Sequence, residues 1–151
     1  VSAGDSALER VTGRVLALDL GARRIGVAYS DSRRTLASPW GVVERSGDPA
    51  RDHRAVVDVI NEVEAGSVVV GLPLSLSGKT GPAAAATLKE VAALRELLEP
   101  LGITVETADE RFTTVEAQRS LTASGRKGKA ARSVIDSAAA MVLLQAWLDK
   151  T

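Results

Sequence analysis

The sequence contains no cysteine and a single histidine. Disulfides and thiolate metal sites are thereby excluded, in keeping with a reducing cytoplasm, and any metal must be held by oxygen ligands or by that histidine. No uninterrupted apolar run approaches the roughly 18 residues of a membrane span, so a membrane protein is not expected. The opening stretch, Val1 to Gly13, carries Asp5, Glu9 and Arg10 and lacks an apolar h-region. It reads as a frayed tail (1–13) rather than a secretory signal, ahead of a single domain over 14–150. A Gly-x-Ser-x-Gly elbow is also missing, and the lone His53 stands among Arg51, Asp52 and Arg54 with no evident orienting partner. His53 is therefore read as a solvated residue, and a Ser-His-Asp hydrolase is disfavoured. Finally there is no net charge, 19 basic residues balancing 19 acidic ones, so the total gives no sign of a polyanionic partner.

What is present fits one globular core. A chain of 151 residues, 45% hydrophobic, falls in the usual size range of a single soluble domain. Arg14 to Leu20 holds the run Val15-Leu16-Ala17-Leu18, expected of a strand covered on both faces, and Ile25 to Ser30 follows across a short glycine-containing hairpin. A third strand is expected near Trp40 to Glu44. Asp48-Pro49 opens a helix with the stripe Val56, Val57, Ile60 and Val63, closing at Gly66. Ser67 to Leu72 is a buried strand. Pro82 opens a helix carrying Leu88, Val91, Leu94, Leu97 and Leu98, stopped by Pro100 and Gly102. A fifth strand covers Ile103 to Ala108, Thr113-Thr114-Val115-Glu116 is a capping-box start for a helix ending near Gly125, and the last helix runs from about Ala131 to Leu148. Three strands joined by tight turns, then strands alternating with helices, describe an α/β mixed sheet flanked by helices.

Three acidic positions fall at the ends of different elements. Asp19 ends the most apolar strand, on the face of Val15 and Ala17, where an uncompensated carboxylate is costly and a bound cation would offset the cost. An Asp opening the turn before Gly21 is the alternative. Asp136 interrupts an apolar helix and shares a stripe with Ala140, Leu143 and Trp147. An interaction with the helix dipole or an i,i+4 pair with Arg132 remains open for it. Asp109 and Glu110 follow the fifth strand at its carboxyl end, where open α/β sheets place their ligands, and either one could instead pair with Arg111. Strand alternation lets only one of these two face Asp19. Carboxylates gathered at one sheet edge suit Mg²⁺ or Mn²⁺ and phosphodiester hydrolysis.

Charge that is absent in total is present locally. Arg119, Arg126, Lys127, Lys129 and Arg132 lie in a stretch without a single acid. Arg126, Lys127, Lys129 and Arg132 are candidates for nucleic-acid backbone contact, with a solvated basic loop as the alternative. Gly78-Lys79-Thr80 resembles the end of a phosphate-binding P-loop, but Pro73 stands where that motif needs glycine. Asp19-Leu20-Gly21 in a hairpin resembles the first phosphate motif of actin-like kinases, which need two lobes for which this chain is too short.

Taken together, Asp19-Leu20-Gly21-Ala22-Arg23-Arg24-Ile25-Gly26-Val27-Ala28, Val70-Gly71-Leu72-Pro73-Leu74, Asp109-Glu110-Arg111-Phe112-Thr113-Thr114 and Asp136-Ser137-Ala138-Ala139-Ala140 resemble the YqgF-type family. Its members are described as Holliday junction resolvases or as pre-16S ribosomal RNA nucleases. The resemblance runs from about Arg14 to Leu148 and implies a ribonuclease-H-like fold, a cytoplasmic location and metal-dependent phosphodiester cleavage. It implies Asp19, Glu110 and Asp136 as the catalytic and metal-holding acids, Mg²⁺ or Mn²⁺ as the cofactor, and ribosomal precursor RNA or branched DNA as the partner, and it leaves a homodimer open. The chain departs from the family pattern at Phe112, where leucine is usual, and in the loop Ser75 to Thr80. A nucleic-acid-binding or ribosome assembly factor that keeps the fold without catalysis is the reading from another class, since fold alone does not establish activity.

Overall fold

A computed structural model describes residues 13–75, 77–110 and 129–150, with the side chains of the last segment described from 137 onward. In chain order these form β1 (Arg14–Leu20), β2 (Arg24–Ser30), β3 (Ala37–Glu44), α1 (Pro49–Val63), β4 (Ala65–Leu72), α2 (Pro82–Leu98), a 3-10 turn (Glu99–Leu101), β5 (Thr104–Asp109) and α3 (Lys129–Lys150). The helix expected from Thr113 lies outside the described residues, as do positions 1–12.

The strands make one mixed sheet in the order β3-β2-β1-β4-β5. β1 pairs antiparallel with β2 and parallel with β4, β2 pairs antiparallel with β3, and β4 pairs parallel with β5. The continuous apolar run puts β1 at the centre, because a strand without a polar face is stable only when both faces are covered. Leu16 and Leu18 point into the core shared with Val56, Ile60, Val91 and Leu94 of α1 and α2. Val15 and Ala17 point the other way, onto Ala140, Leu144 and Leu148 of α3. The result is a helix–sheet–helix sandwich. No helix among the described residues is long and apolar enough to cross a membrane.

Local chemistry sets several boundaries. Asp48 caps α1, its carboxylate accepting from the Ala50 backbone N–H at 3.1 Å with Pro49 in the first turn. That helix ends at Val63 rather than at Gly66. Glu64 takes the left-handed cap at φ 59°, and the parallel ladder with β1 then claims Ala65 and Gly66 as strand, pairing Arg14 with Ala65. β3 begins at Ala37 rather than near Trp40. Its Pro39 is tolerated because β3 is an edge strand, and the register shifts between Val27 and Ala28. In α2 the buried stripe is Ala84, Thr87, Val91, Leu94 and Leu98. Leu88 and Leu97, expected within that stripe, are 40% and 39% exposed, because at ~100° per residue they fall on its two flanks, each roughly 90° from its centre.

Candidate active site

Pairing in the sheet opens a cleft at the carboxyl ends of its central strands. The β1–β4 ladder stops at Leu18 and Val70, whereas β1 continues beside β2 to Leu20 and β4 continues beside β5 to Leu72. Asp19 and Gly71 are therefore the first residues beyond the last register pair of these two strands. Their surroundings form a cleft of about 200 Å³ lined by Asp19, Leu20, Gly21, Gly71, Pro73, Thr87 and Glu110. This is the crevice at strand carboxyl ends where α/β sheets bind ligands.

Each wall has a local cause. Asp19 stands opposite Gly26 in the hairpin, and the chain turns at once, the Gly21 N–H donating to the Asp19 carbonyl at 3.0 Å. The turn is tight enough to require glycine, since a Cβ at Gly21 would lie 2.6 Å from the Arg24 carbonyl oxygen. Glu110 follows β5 and lays its side chain against the backbone of Gly71. A Cβ there would stand 2.5 Å from Glu110 Oε1 and 2.9 Å from Leu143 Cδ2. A glycine in a buried strand is a sequence sign of close approach, and here the approaching group is a carboxylate. Asp109 ends β5 opposite Leu72 and is not among the residues lining the cleft.

α3 crosses the same face. Leu144 and Leu148 pack with Val15 at the start of β1, and Leu143 meets Gly71 at the end of β4. The helix thus runs antiparallel to β1, and the turns that precede Leu143 lead toward the carboxyl-end crevice. Asp136, Lys129 and Arg132 belong to those turns, with side chains outside those described; Arg126 and Lys127 lie outside the described residues. Among the described residues, no three acidic or histidine side chains gather as metal ligands. The structure thus brings two of the sequence-proposed acids, Asp19 and Glu110, to one cleft.

Behind the Asp19 turn lies a polar network that sequence reasoning missed. Arg45 donates from Nε to the Gly21 carbonyl at 3.1 Å, and its two terminal nitrogens grip Glu90 at 2.6 and 3.0 Å. His53 is not solvated as expected. It is 6% exposed, with Nε2 2.8 Å from Glu90 Oε2. Asp52, also buried, accepts from the Ser46 N–H at 2.9 Å and hydroxyl at 2.7 Å. Burial pushes both carboxyls up, but bonds from Ser46 to Asp52 and from Arg45 and His53 to Glu90, together with the neighbouring charges, outweigh it and hold both below the ordinary range. The partners are 37 and 45 positions apart, so no local pattern announces them.

Comparison with known proteins agrees with the topology. The family model described as "RuvX: Holliday junction resolvase" matches residues 13–150. A protein of Mycobacterium sp. (strain KMS) named "Putative pre-16S rRNA nuclease" is 44% identical over 138 residues, covering 91% of this chain and 80% of the relative. A protein of the same name from Rhodococcus opacus (strain B4) is 45% identical over 141 residues, covering 91% and 78%. Among solved structures, "T. thermophilus RuvC in complex with Holliday junction substrate" superposes with a TM-score of 0.58 at 15% identity, over 91% of this chain and 95% of that one. At that identity the likeness concerns the fold, which is ribonuclease-H-like.

Proposed function

This chain belongs to the RuvX family, and from that premise we propose that it is a divalent-metal-dependent nuclease, a hydrolase of nucleic-acid phosphodiesters that matures the 5′ end of pre-16S ribosomal RNA in the cytoplasm. The observation that carries the reading is the convergence of Asp19 and Glu110, from the ends of two different strands, on one cleft. The donor set suits Mg²⁺ or Mn²⁺, which favour carboxylate and water oxygens. Gly71 fits the same purpose, since its missing side chain is the space in which the Glu110 carboxylate lies.

In this reading Asp19, Glu110 and Asp136 hold the metal, Asp136 from the part of α3 that leads toward the crevice. When bound, such ions supply Lewis acidity to the phosphate and lower the pKa of a water nucleophile. Asp19 is fixed by the hairpin turn and Glu110 by the Gly71 wall, so both acids are oriented before substrate arrives. Arg126, Lys127, Lys129 and Arg132 supply the positive charge that a polyanion needs when it approaches a carboxylate cluster, contacting phosphates rather than bases.

Ribosomal precursor RNA is the first substrate because the relatives at 44–45% identity carry that activity in their names. Branched DNA is the second reading, favoured by the family's description. The test is a cleavage assay with Mg²⁺ and with Mn²⁺, on precursor RNA and on a four-way DNA junction, with Asp19→Asn as control. Cleavage of the RNA alone supports the first reading and cleavage of the junction alone the second. A wild-type protein that binds either nucleic acid yet cuts neither would instead be an assembly factor.

A further inference from the structure

We propose that Arg45 and Glu90 are a positioning pair that ties the β1–β2 turn to α2 and thereby fixes the placement of Asp19 in the cleft. The inference rests on the nuclease reading above and extends it to residues outside the acidic set.

The bonds form an unbroken path. On one wall the Asp19 carbonyl accepts from Gly21 N–H, and the Gly21 carbonyl accepts from Arg45 Nε. Arg45 also donates its backbone N–H to the Arg23 carbonyl at 2.9 Å, so it holds two carbonyls of the β1–β2 turn. From Arg45 the path crosses to α2 through both carboxylate oxygens of Glu90. Glu90 lies one turn after Thr87 on α2, and Thr87 is itself one of the residues lining the cleft. α1 braces the crossing, with His53 on Glu90 and Asp52 on Ser46, the residue after Arg45.

Two features make this a positioning device. The turn is tight, a Cβ at Gly21 having no room beside the Arg24 carbonyl, and the Gly21 carbonyl that Arg45 holds is only two residues from Asp19. Arg45 is also committed, largely buried with its guanidinium turned to Gly21 and Glu90, and so is not placed to meet a phosphate. A planar fork bonded at two oxygens sets distance and angle together, which a lysine ammonium cannot do. A largely buried ion pair is in itself a weak source of stability, so geometry is the better account of its presence.

The test uses Arg45→Lys, Arg45→Gln, Glu90→Gln and the double variant Arg45→Gln/Glu90→Gln in the full chain. Mn²⁺ affinity is read from the free-ion electron paramagnetic resonance signal, and kcat and KM are read separately on the cleaved substrate. Groups that orient metal ligands from behind typically cost roughly 10- to 100-fold in affinity or activity when removed. Glu90→Gln and Arg45→Gln should each weaken Mn²⁺ binding and lower kcat within about that range, with KM within about twofold of wild type. The double variant should be no worse than the poorer single one, because the two act as a unit. Arg45→Lys should recover part of the loss. Folded Glu90→Gln with wild-type Mn²⁺ affinity and kcat would overturn the proposal. So would a raised KM with a flattened salt dependence, which would make Arg45 a substrate-binding residue. Should Arg45→Gln not fold, the near-isosteric Glu90→Gln and the charge-retaining Arg45→Lys decide the matter. A wild-type protein that neither binds Mn²⁺ nor cleaves would defeat the nuclease reading itself and this proposal with it.

Discussion

Replacing Gly71 by alanine separates stability from catalysis. The added Cβ would stand 2.5 Å from Glu110 Oε1, 3.1 Å from its Cδ and 2.9 Å from Leu143 Cδ2. Reaching the 3.4 Å of ordinary van der Waals separation requires the carboxylate to retreat by about 0.9 Å. Both obstructing groups are ends of side chains, and the strand backbone at this position is one that alanine accepts. The cost to the fold is therefore at the low end of the roughly 1–3 kcal/mol of overpacking, offset by about 0.4–1 kcal/mol of unfolded-chain entropy that glycine no longer adds. A net loss of no more than about 0.6 kcal/mol lowers Tm by at most roughly 1–2 °C in a chain of this size. The cost to the site is larger, because a reacting group misplaced by about 1 Å can lose on the order of 10²-fold in rate. Single-turnover cleavage and thermal melting on the same sample measure both. In a Glu110→Gln background the alanine should cost no further activity, since the group it displaces no longer holds metal. Full activity in Gly71→Ala would refute the role of Glu110 and turn attention to Asp109. A further loss in the Glu110→Gln background would route the damage through Leu143 and α3 instead.

Three other outcomes are expected. Asp19→Asn should abolish cleavage while leaving Tm unchanged or higher, because removing one member of an acidic cluster relieves repulsion when no cation is bound; a cleaving variant would end the metal mechanism. Neutralising Arg126, Lys127 and Lys129 together should weaken all substrates alike and flatten the log–log salt slope by about 0.9 for each phosphate no longer neutralised on duplex, or about 0.7 on single strands, and an unchanged slope returns the segment to a solvated loop. Asp31 accepts from Thr35 N–H and hydroxyl and from Leu36 N–H, bonds that lower its pKa from 3.8 to about 2. A depressed carboxyl stabilises above its unfolded value and loses that contribution as pH falls, here between about pH 4 and pH 2, so Asp31→Ala should melt lower at neutral pH and show a smaller loss of Tm across that window.

What the sequence disclosed, and what it hid, divides by the range of the forces involved. β1 matched its expected ends because four consecutive apolar residues demand two covered faces and Asp19 with Gly21 ends the run. The start of α1 matched because a cap and a first-turn proline are local chemistry. Gly66 misled because the residue that leaves the helix is chosen by the ladder with β1, about fifty positions earlier in the chain. Arg51 to Arg54 reads as a wet helix face, yet Asp52 and His53 are buried there, since Ser46 and Glu90 arrive from elsewhere to satisfy them. Of the candidate site, Asp19, Glu110 and Gly71 stood in recognisable motifs. The reason for Gly71 appeared only when Glu110 was seen against it.

The placement of the cleft follows from the same long-range pairing. A strand end bonded on both sides has no room for a ligand, and one bonded on neither side has no fixed direction. Asp19 is an intermediate case, held by β2 on one side and released by β4 on the other. Gly71 is its mirror image, held by β5 and released by β1. Each wall is therefore held along its own ladder, while the pairing between β1 and β4 goes no further than Leu18 and Val70. Beyond that pair, side chains take over. α3 packs on the Gly71 side, with Leu143 against that glycine, and the Arg45–Glu90 crossing holds the Asp19 side from behind its turn. Acids carried by strand ends and held by side chains can be tuned without disturbing the sheet, because a change at Arg45 or Glu90 leaves every ladder bond of β1 and β4 in place.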